Sequence, residues 1–275
     1  MRRSRTIVMG VVMLAALSSV GVALAVGPWP GLAPSVSSPS GEVRYTASRG
    51  GGMTTVRAIR SGRVVASTKI VGAFGIPAVT SIGTPGGLSP DGRLLVLVQP
   101  PVYNGGLRTQ SRFVVLTTDG LRRTASITLP GEFGFDAISP DRRTLYVIQH
   151  MSNRDLVRYV VRAYDLSARR LLPQAIVDKR SPSEVMRGYP VARAATPSGD
   201  WVYTLYTKNP GSSLTFVHAL NAAGRSAFCI DLPGWSGGEN IWEARLELAG
   251  GMLLVKTKSG ETVARIDTQT LKVAT

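Results

Sequence analysis

The sequence predicts an all-β protein folded as a single β-propeller of four-stranded blades, five of them, with four blades or an open ring as the alternatives. Three observations carry this. First, Gly87-Leu88-Ser89-Pro90-Asp91-Gly92-Arg93 runs straight into Leu94-Leu95-Val96-Leu97-Val98, as a tight turn runs into a buried strand. Pro90 presets φ, Asp91 suits the next position, and Gly92 accepts the positive φ that closes the turn. Second, the phrase returns as Ser139-Pro140-Asp141-Arg142-Arg143 and as Thr196-Pro197-Ser198-Gly199-Asp200, each followed by an apolar run. The three prolines lie 50 and 57 residues apart, the period of a propeller blade. A worn copy, Leu246-Glu247-Leu248-Ala249-Gly250-Gly251, precedes Met252–Val255. Third, 30 glycines and 17 prolines, mostly between apolar runs, suit many short strands joined by turns.

Along the chain, Arg2, Arg3 and Arg5 precede an uncharged apolar run from Ile7 to Val26, and Ala23-Leu24-Ala25 matches a small-x-small cleavage pattern. Residues 1–26 are expected to be an export segment, either a cleaved signal peptide or an uncleaved anchor long enough to span a bilayer. No cysteine stands directly after that run, so a lipoprotein anchor is not expected. Residues 27–41 are rich in Pro, Ser and Gly and are expected to be a linker. Residues 42–275 then form the propeller domain.

Within the domain, Glu42–Ala47, Thr54–Ile59 and Val64–Ile70 read as three strands of a blade whose inner strand comes from elsewhere. Residues 80–130 form the next blade, with its inner strand near Val79–Gly87. Further blades are expected over residues 134–178, 189–233 and 241–275. Joining both termini in one blade would remove the exposed edges of an open array.

Net charge is +15, or +12 without the N-terminal arginines. The basic residues are dispersed, with no run of five or six, so they predict a solvated basic surface able to touch an anionic membrane or cell-wall polymer. Scattered charge and an export segment disfavour a nucleic-acid partner. Cys229 is the lone cysteine; it admits no intramolecular disulfide and sits in an apolar strand pattern, as a small core residue does.

The Ser-Pro-Asp-Gly-Arg-x-Leu-x-Val phrase, with Val160-Val161-Arg162-Ala163-Tyr164-Asp165-Leu166 after its second copy, resembles the YVTN and PD40 type (WD40-like) repeats of exported bacterial β-propellers. The resemblance spans about residues 80–275. It implies the architecture and is nearly silent on activity, because one fold hosts many functions. Arg142 departs from the pattern by standing where the turn glycine belongs, and the fourth copy lacks both Pro and Asp.

Blade geometry places the stereotyped turns on one face and the long, irregular connections on the other, where binding loops belong. That second face is expected to carry Tyr103 and Asn104, His150 and Asn153, Arg187 and Tyr189, and Trp235, Glu239 and Trp242. Aromatic rings beside Asn, Glu and Arg suit a ligand that stacks and hydrogen-bonds, such as a sugar or peptide. Equally, such rings pack between blades.

Three chemistries bear on this pattern. Gly234-Trp235-Ser236-Gly237-Gly238 matches a nucleophile elbow, but no histidine follows Ser236, and the motif needs one downstream. Glu132, Asp136, Glu184 and Glu239 could supply a carboxylate pair for glycan hydrolysis. His150 and His218, the only histidines, have no ligand partners at metal spacing, and His218 lies in a strand pattern as a packed or surface residue. No cofactor fingerprint appears. The sequence therefore points to an exported or membrane-tethered propeller that binds or scaffolds an extracytoplasmic ligand or protein without covalent chemistry, with an extracellular glycan hydrolase as the alternative.

Overall fold

The computed structural model describes residues 30–101, 106–155, 157–182, 185–208, 214–232, 235 and 238–274. The expected export segment lies outside the described residues. No helix among those described is long and apolar enough to cross a membrane.

The molecule is an all-β propeller of antiparallel sheets strung in sequence order. The short strand β1 (Leu32–Ala33) precedes the first sheet, formed by β2 (Ser35–Ser37), β3 (Val43–Gly50), β4 (Met53–Arg60) and β5 (Arg63–Val71). After β6 (Ile76–Pro77), which pairs with β1, the second sheet has three strands: β7 (Leu94–Val98), β8 (Gln110–Thr117) and β9 (Arg123–Pro130). The third comprises β10 (Phe133–Ile138), β11 (Thr144–His150), β12 (Arg158–Asp165) and β13 (Arg170–Ile176), with β14 (Met186–Arg187) added to β12. Strands β15 (Tyr189–Ala195), β16 (Trp201–Thr207), β17 (Thr215–Asn221) and β18 (Ser226–Asp231) make the fourth. A 3-10 turn, Gly238–Glu243, leads into the last sheet: β19 (Arg245–Ala249), β20 (Met252–Lys256), β21 (Thr262–Asp267) and β22 (Val273–Ala274).

The repeated phrase folds as a hydroxyl-locked turn. Ser89 Oγ donates to Asp91 Oδ1 at 2.7 Å and accepts from the Leu94 N–H at 2.9 Å. Ser139 repeats both bonds with Asp141 and Thr144, at 2.6 and 2.9 Å. Thr196 accepts the Trp201 N–H in the third copy. Gly92 and Gly199 take φ of 70° and 75°, and Arg142 is forced to 60°. A side chain in that region costs roughly 1–2 kcal/mol. Arg142 meets a compensating partner, the Asp91 carboxylate of the preceding turn.

The core runs in series between neighbouring sheets. Val56 and Ile70 pack with Leu95 and Leu97; Val96 and Phe113 with Phe135 and Val147. Tyr146 and Val161 pack with Val202 and Leu220, and Tyr203 and Leu205 with Leu253 and Val255. Each such side chain, fully buried, contributes about 1.5–3 kcal/mol. Alternation along the strands puts two apolar faces on the inner sheets, while the outward faces of the end sheets carry charged residues. Arg44, Arg57 and Lys69 mark one, and the Glu247–Lys256 ion pair (2.6 Å) marks the other. Among the described residues no apolar cluster joins the last sheet to the first.

Two segments differ from expectation. The inner strand missing from the first sheet is β2, from the stretch read as linker. Val36 points inward there and is buried, while the flanking Pro and Ser residues mask the alternation. Residues 79–87, read as an inner strand, do not form one. Gly75 bridges Val98 and Leu88 bridges Leu95, and the chain between them leaves the sheet. Pro77 and Pro85 lack the N–H a ladder needs, and Gly83 and Gly87 adopt φ of 89° and 94°. The excursion buries Val79, Thr80 and Ser81 and reaches the fourth sheet, where the Ser81 N–H donates to the Pro190 carbonyl at 2.8 Å.

Candidate functional site

A β-bulge creates the central polar feature. Between Phe135 and Ala137 the register of β10 against β11 shifts by one residue, and the extra residue is Asp136. Bulges re-aim a side chain where a sheet must deviate. Asp136 turns to the next sheet, where Arg193 Nη1 donates to Oδ1 and Arg193 Nη2 to the Asp136 carbonyl, both at 2.8 Å. Asp136 is buried and Arg193 largely so. Asp136 Oδ2 is buried with no hydrogen-bond partner.

A second buried ion pair stands at the loop face. Arg108 binds both carboxylate oxygens of Glu132 through Nε (2.9 and 2.8 Å) and again through Nη2. Its Nη1 donates to the carbonyls of Gln99 and Pro100, at 3.2 and 3.1 Å. The pair thus staples the long 99–110 connection to the start of β10. The His150 N–H donates to the Glu132 carbonyl at 3.0 Å.

Between these ion pairs lies a cavity of about 50 Å³, whose walls include Phe133, Phe135, Asp136, His150, Tyr159 and Tyr206. Alternation along β11, β12 and β16 turns a row of rings towards it. The His150 and Tyr159 ring centroids are 6.2 Å apart, those of Tyr159 and Tyr206 are 5.6 Å apart, and those of Tyr206 and His218 are 6.5 Å apart. Burial, reinforced by Tyr206, pushes the Tyr159 phenol well above its usual range. Its hydroxyl is buried beside that of Tyr206. Burial, with help from the Arg193 charge, lowers the His218 imidazole to about 4 despite Asp136 and Asp178 nearby. His218 is therefore neutral at pH 7, and its Nε2 is without a partner.

A larger groove of about 380 Å³ opens between the third and fourth sheets, over Ile176, Met186, Phe216 and Ile230, with Arg187 and Lys208 among its lining residues. Asp178 closes one side. Its Oδ2 accepts the Cys229 N–H at 2.8 Å, and Arg180 bridges from the carboxylate to the Cys229 carbonyl at 2.7 Å. Side chains thereby occupy backbone groups on the free edge of β18. Burial pulls Asp178 upward, but the bonds from Arg180 and the Cys229 N–H outweigh it and hold the carboxyl at about 2.

The structure distributes the sequence-predicted residues over several places. His150 lines the mouth cavity. Asn153 accepts the Leu107 N–H at 2.6 Å, tying two connections together. Arg187 pairs with Asp155 beside the larger groove. Tyr189 meets Trp242 edge-on at 6.1 Å, and Trp235 packs on the core shared by the fourth and fifth sheets. Tyr103, Asn104, Glu184, Ser236 and the Glu239 side chain lie outside the described residues. Cys229 is half-buried beside Tyr159, Tyr206 and Phe216, and His218 is fully buried. Sequence reasoning missed Arg108, Tyr159, Arg193 and Tyr206. One signal was available: Asp136 interrupts the otherwise uncharged Phe133–Ile138, and a charge there needs a buried partner.

Of the four carboxylates expected on this face, Glu132 and Asp136 are described, and each pairs with an arginine. Glycoside hydrolysis needs one carboxylic acid facing the leaving oxygen and a second carboxylate facing the sugar. Both oxygens of Glu132 are engaged by Arg108, and Asp136 is engaged by Arg193. Among the described residues no three His, Cys, Asp or Glu side chains form a metal-binding group.

No protein-family model matches the chain, and no curated protein matches it. Among solved structures it is similar to a TolB from Agrobacterium tumefaciens, at 16% identity and a TM-score of 0.43, over 88% of this chain and 83% of that one. It is also similar to BamB from Moraxella catarrhalis, at 14% identity and a TM-score of 0.46, over 89% and 66% of the two chains. A third likeness is the Dos1 propeller, at 11% identity and a TM-score of 0.48, over 86% and 54%.

Proposed function

We propose that this propeller is a non-catalytic binding or scaffolding module that works outside the cytoplasm, secreted or held at the membrane by residues 7–26. One observation carries the reading. The two carboxylates at the mouth, Glu132 and Asp136, are buried and each is bound to a largely buried arginine. They fix the shape of the mouth instead of facing a reactant. The apolar run of residues 7–26, preceded by three arginines, supports export. The dispersed positive charge suits an anionic envelope surface as the environment.

The irregular face is the proposed contact surface, with Arg187, Tyr189, Trp235 and Trp242 on the described part of it and Tyr103 and Asn104 on the rest. Its test is capture of envelope glycans and proteins by the full chain and by two variants. Arg187→Ala alters the irregular face, and Arg93→Ala alters an exposed residue on the turn face. Loss of capture in the first variant alone supports the reading; equal loss in both, or product formation on mixing, overturns it.

A further inference from the structure

We propose that the outward face of the first sheet, β2–β5, docks onto an anionic phospholipid surface. The inference rests on the reading of an envelope module and gives it a contact surface separate from the irregular face. Charge that is scattered along the sequence is gathered here by the fold. Residues 42–71 hold Arg44, Arg49, Arg57, Arg60, Arg63 and Lys69 against one acid, Glu42, a net charge of +5, whereas the 204 residues that follow carry +7. Among the described residues none of these six cations pairs with a carboxylate.

Strand geometry puts three of them on one surface. Val43, Tyr45, Val56, Ala58 and Ile70 turn into the core, so the period of two sends Arg44, Arg57 and Lys69 to the opposite side. Arg44 stands across from Ile59, and Lys69 across from Thr55. Arg57, two residues from each of those partners, is therefore a diagonal neighbour of both cations, roughly 7–8 Å away. Like charges so placed repel, and a surface of negative charge relieves the repulsion. Arg49, Arg60 and Arg63 stand exposed at or beside strand ends, on the margin of the same sheet.

Two features favour lipid over a soluble polyanion. Six large apolar side chains are exposed among the described residues, and three of them, Val64, Val65 and Val71, lie on β5 at 55%, 55% and 77%. A bilayer interface accepts aliphatic side chains beside its phosphates, whereas a hydrated polymer gains nothing from them. The second feature is reach. Nine residues separate Val26, the end of the apolar run, from Ser35 at the start of β2. At about 3.3–3.6 Å per residue they span at most roughly 30 Å, so a bilayer holding residues 7–26 lies within reach of this sheet. A second copy is disfavoured as the occupant, because the other end sheet, residues 245–274, is itself net positive at +2.

The test uses the full chain reconstituted in vesicles of phosphatidylcholine alone or in equal mixture with phosphatidylglycerol. Solvent access of arginine and lysine side chains is mapped by group-selective labelling and mass spectrometry. Labelling of Arg44, Arg57 and Lys69 should fall at least about fivefold on the mixed vesicles, the worth of one basic contact, and recover in high salt. Labelling of Arg123, Arg143 and Arg170, exposed elsewhere on the molecule, should not change. The variant Arg44→Gln/Arg57→Gln/Lys69→Gln should dock about 100-fold more weakly, read as lost protection of Arg49, Arg60 and Arg63. Its Tm should be unchanged or raised, which shows that it folds. No protection on mixed vesicles, equal protection of the other arginines, protection that survives in the variant, or equal protection by soluble polyphosphate would each overturn the proposal. Arg187→Ala should leave this docking unchanged, so the two surfaces fail separately.

Discussion

Gly199 lies so close to Pro90 that a β-carbon built on it would stand 2.0 Å from the proline Cγ. The two residues belong to hairpin turns of the fourth and second sheets, and the contact passes between sheets that are not chain neighbours. Together with the Arg142–Asp91 pair, it draws three copies of the repeated turn into one packed cluster.

A matched pair of glycine substitutions tests that packing. Gly199→Ala meets both a positive φ and the Pro90 ring, whereas Gly250→Ala has a positive φ of 57° with open space around it. Gly250→Ala should cost about 1 kcal/mol, the backbone term alone. Gly199→Ala should cost about 2–4 kcal/mol, adding the overpacking penalty. Equal losses in urea unfolding would mean that the two turns do not touch.

Removing Arg193 isolates a buried carboxylate. Arg193→Met should destabilise the fold by about 3–5 kcal/mol at pH 7. A loss below about 1 kcal/mol would show that water reaches Asp136 freely. Denaturant titration of the two proteins distinguishes these.

Acidification should weaken the fold in two separable windows. His218 stays neutral in the fold down to about 4, while the unfolded chain takes up a proton near 6.5. Between those values the unfolded state binds more protons, so stability falls as pH drops from 6.5 to 4, by about 3 kcal/mol in all. Asp178 acts lower. Its carboxyl is held at about 2 against 3.8, so its contribution is complete above 3.8 and is lost as pH falls through 2. His218→Leu should flatten the upper window alone, as measured by stability against pH.

Much of the fold was legible because its signals are local. Turn residues at fixed offsets and apolar runs locate β7 and β20 nearly to the residue. The illegible parts are those decided at long range. Ser35–Ser37 is a strand only because β3 offers it an edge, and its proline-flanked composition says linker. Residues 79–87 look extended but leave the sheet, because Pro77 and Pro85 cannot donate and the interior offers burial to Val79 instead. The candidate site was legible only in part for the same reason. His150 could be placed on the irregular face from chain order. The pairing of Asp136 with Arg193 depends on a one-residue bulge and on a strand 57 positions away. Likewise the edge-on contact of Tyr189 with Trp242 joins two connections, and no spacing rule relates them.

Asp178 shields the β18 edge, so Asp178→Ala should have two effects. Loss of charge-assisted hydrogen bonds to the Cys229 N–H and to Arg180 should cost about 2–3 kcal/mol. The bared edge should also raise concentration-dependent aggregation, since unpaired strand edges template further pairing. Light scattering at matched stability separates the two effects. Unchanged scattering would show that another group covers the edge.

The most direct test of the account is the chemical fate of a glycan held by the full chain. Bacterial glycans and peptidoglycan fragments would be incubated with the protein, and the bound material released and weighed by mass spectrometry. Carboxylates engaged by Arg108 and Arg193 predict ligand recovered intact, in proportion to protein and unchanged over time. Shortened glycans accumulating with time, and lost in Glu132→Gln or Asp136→Asn, would contradict it and make the ring mouth an active site.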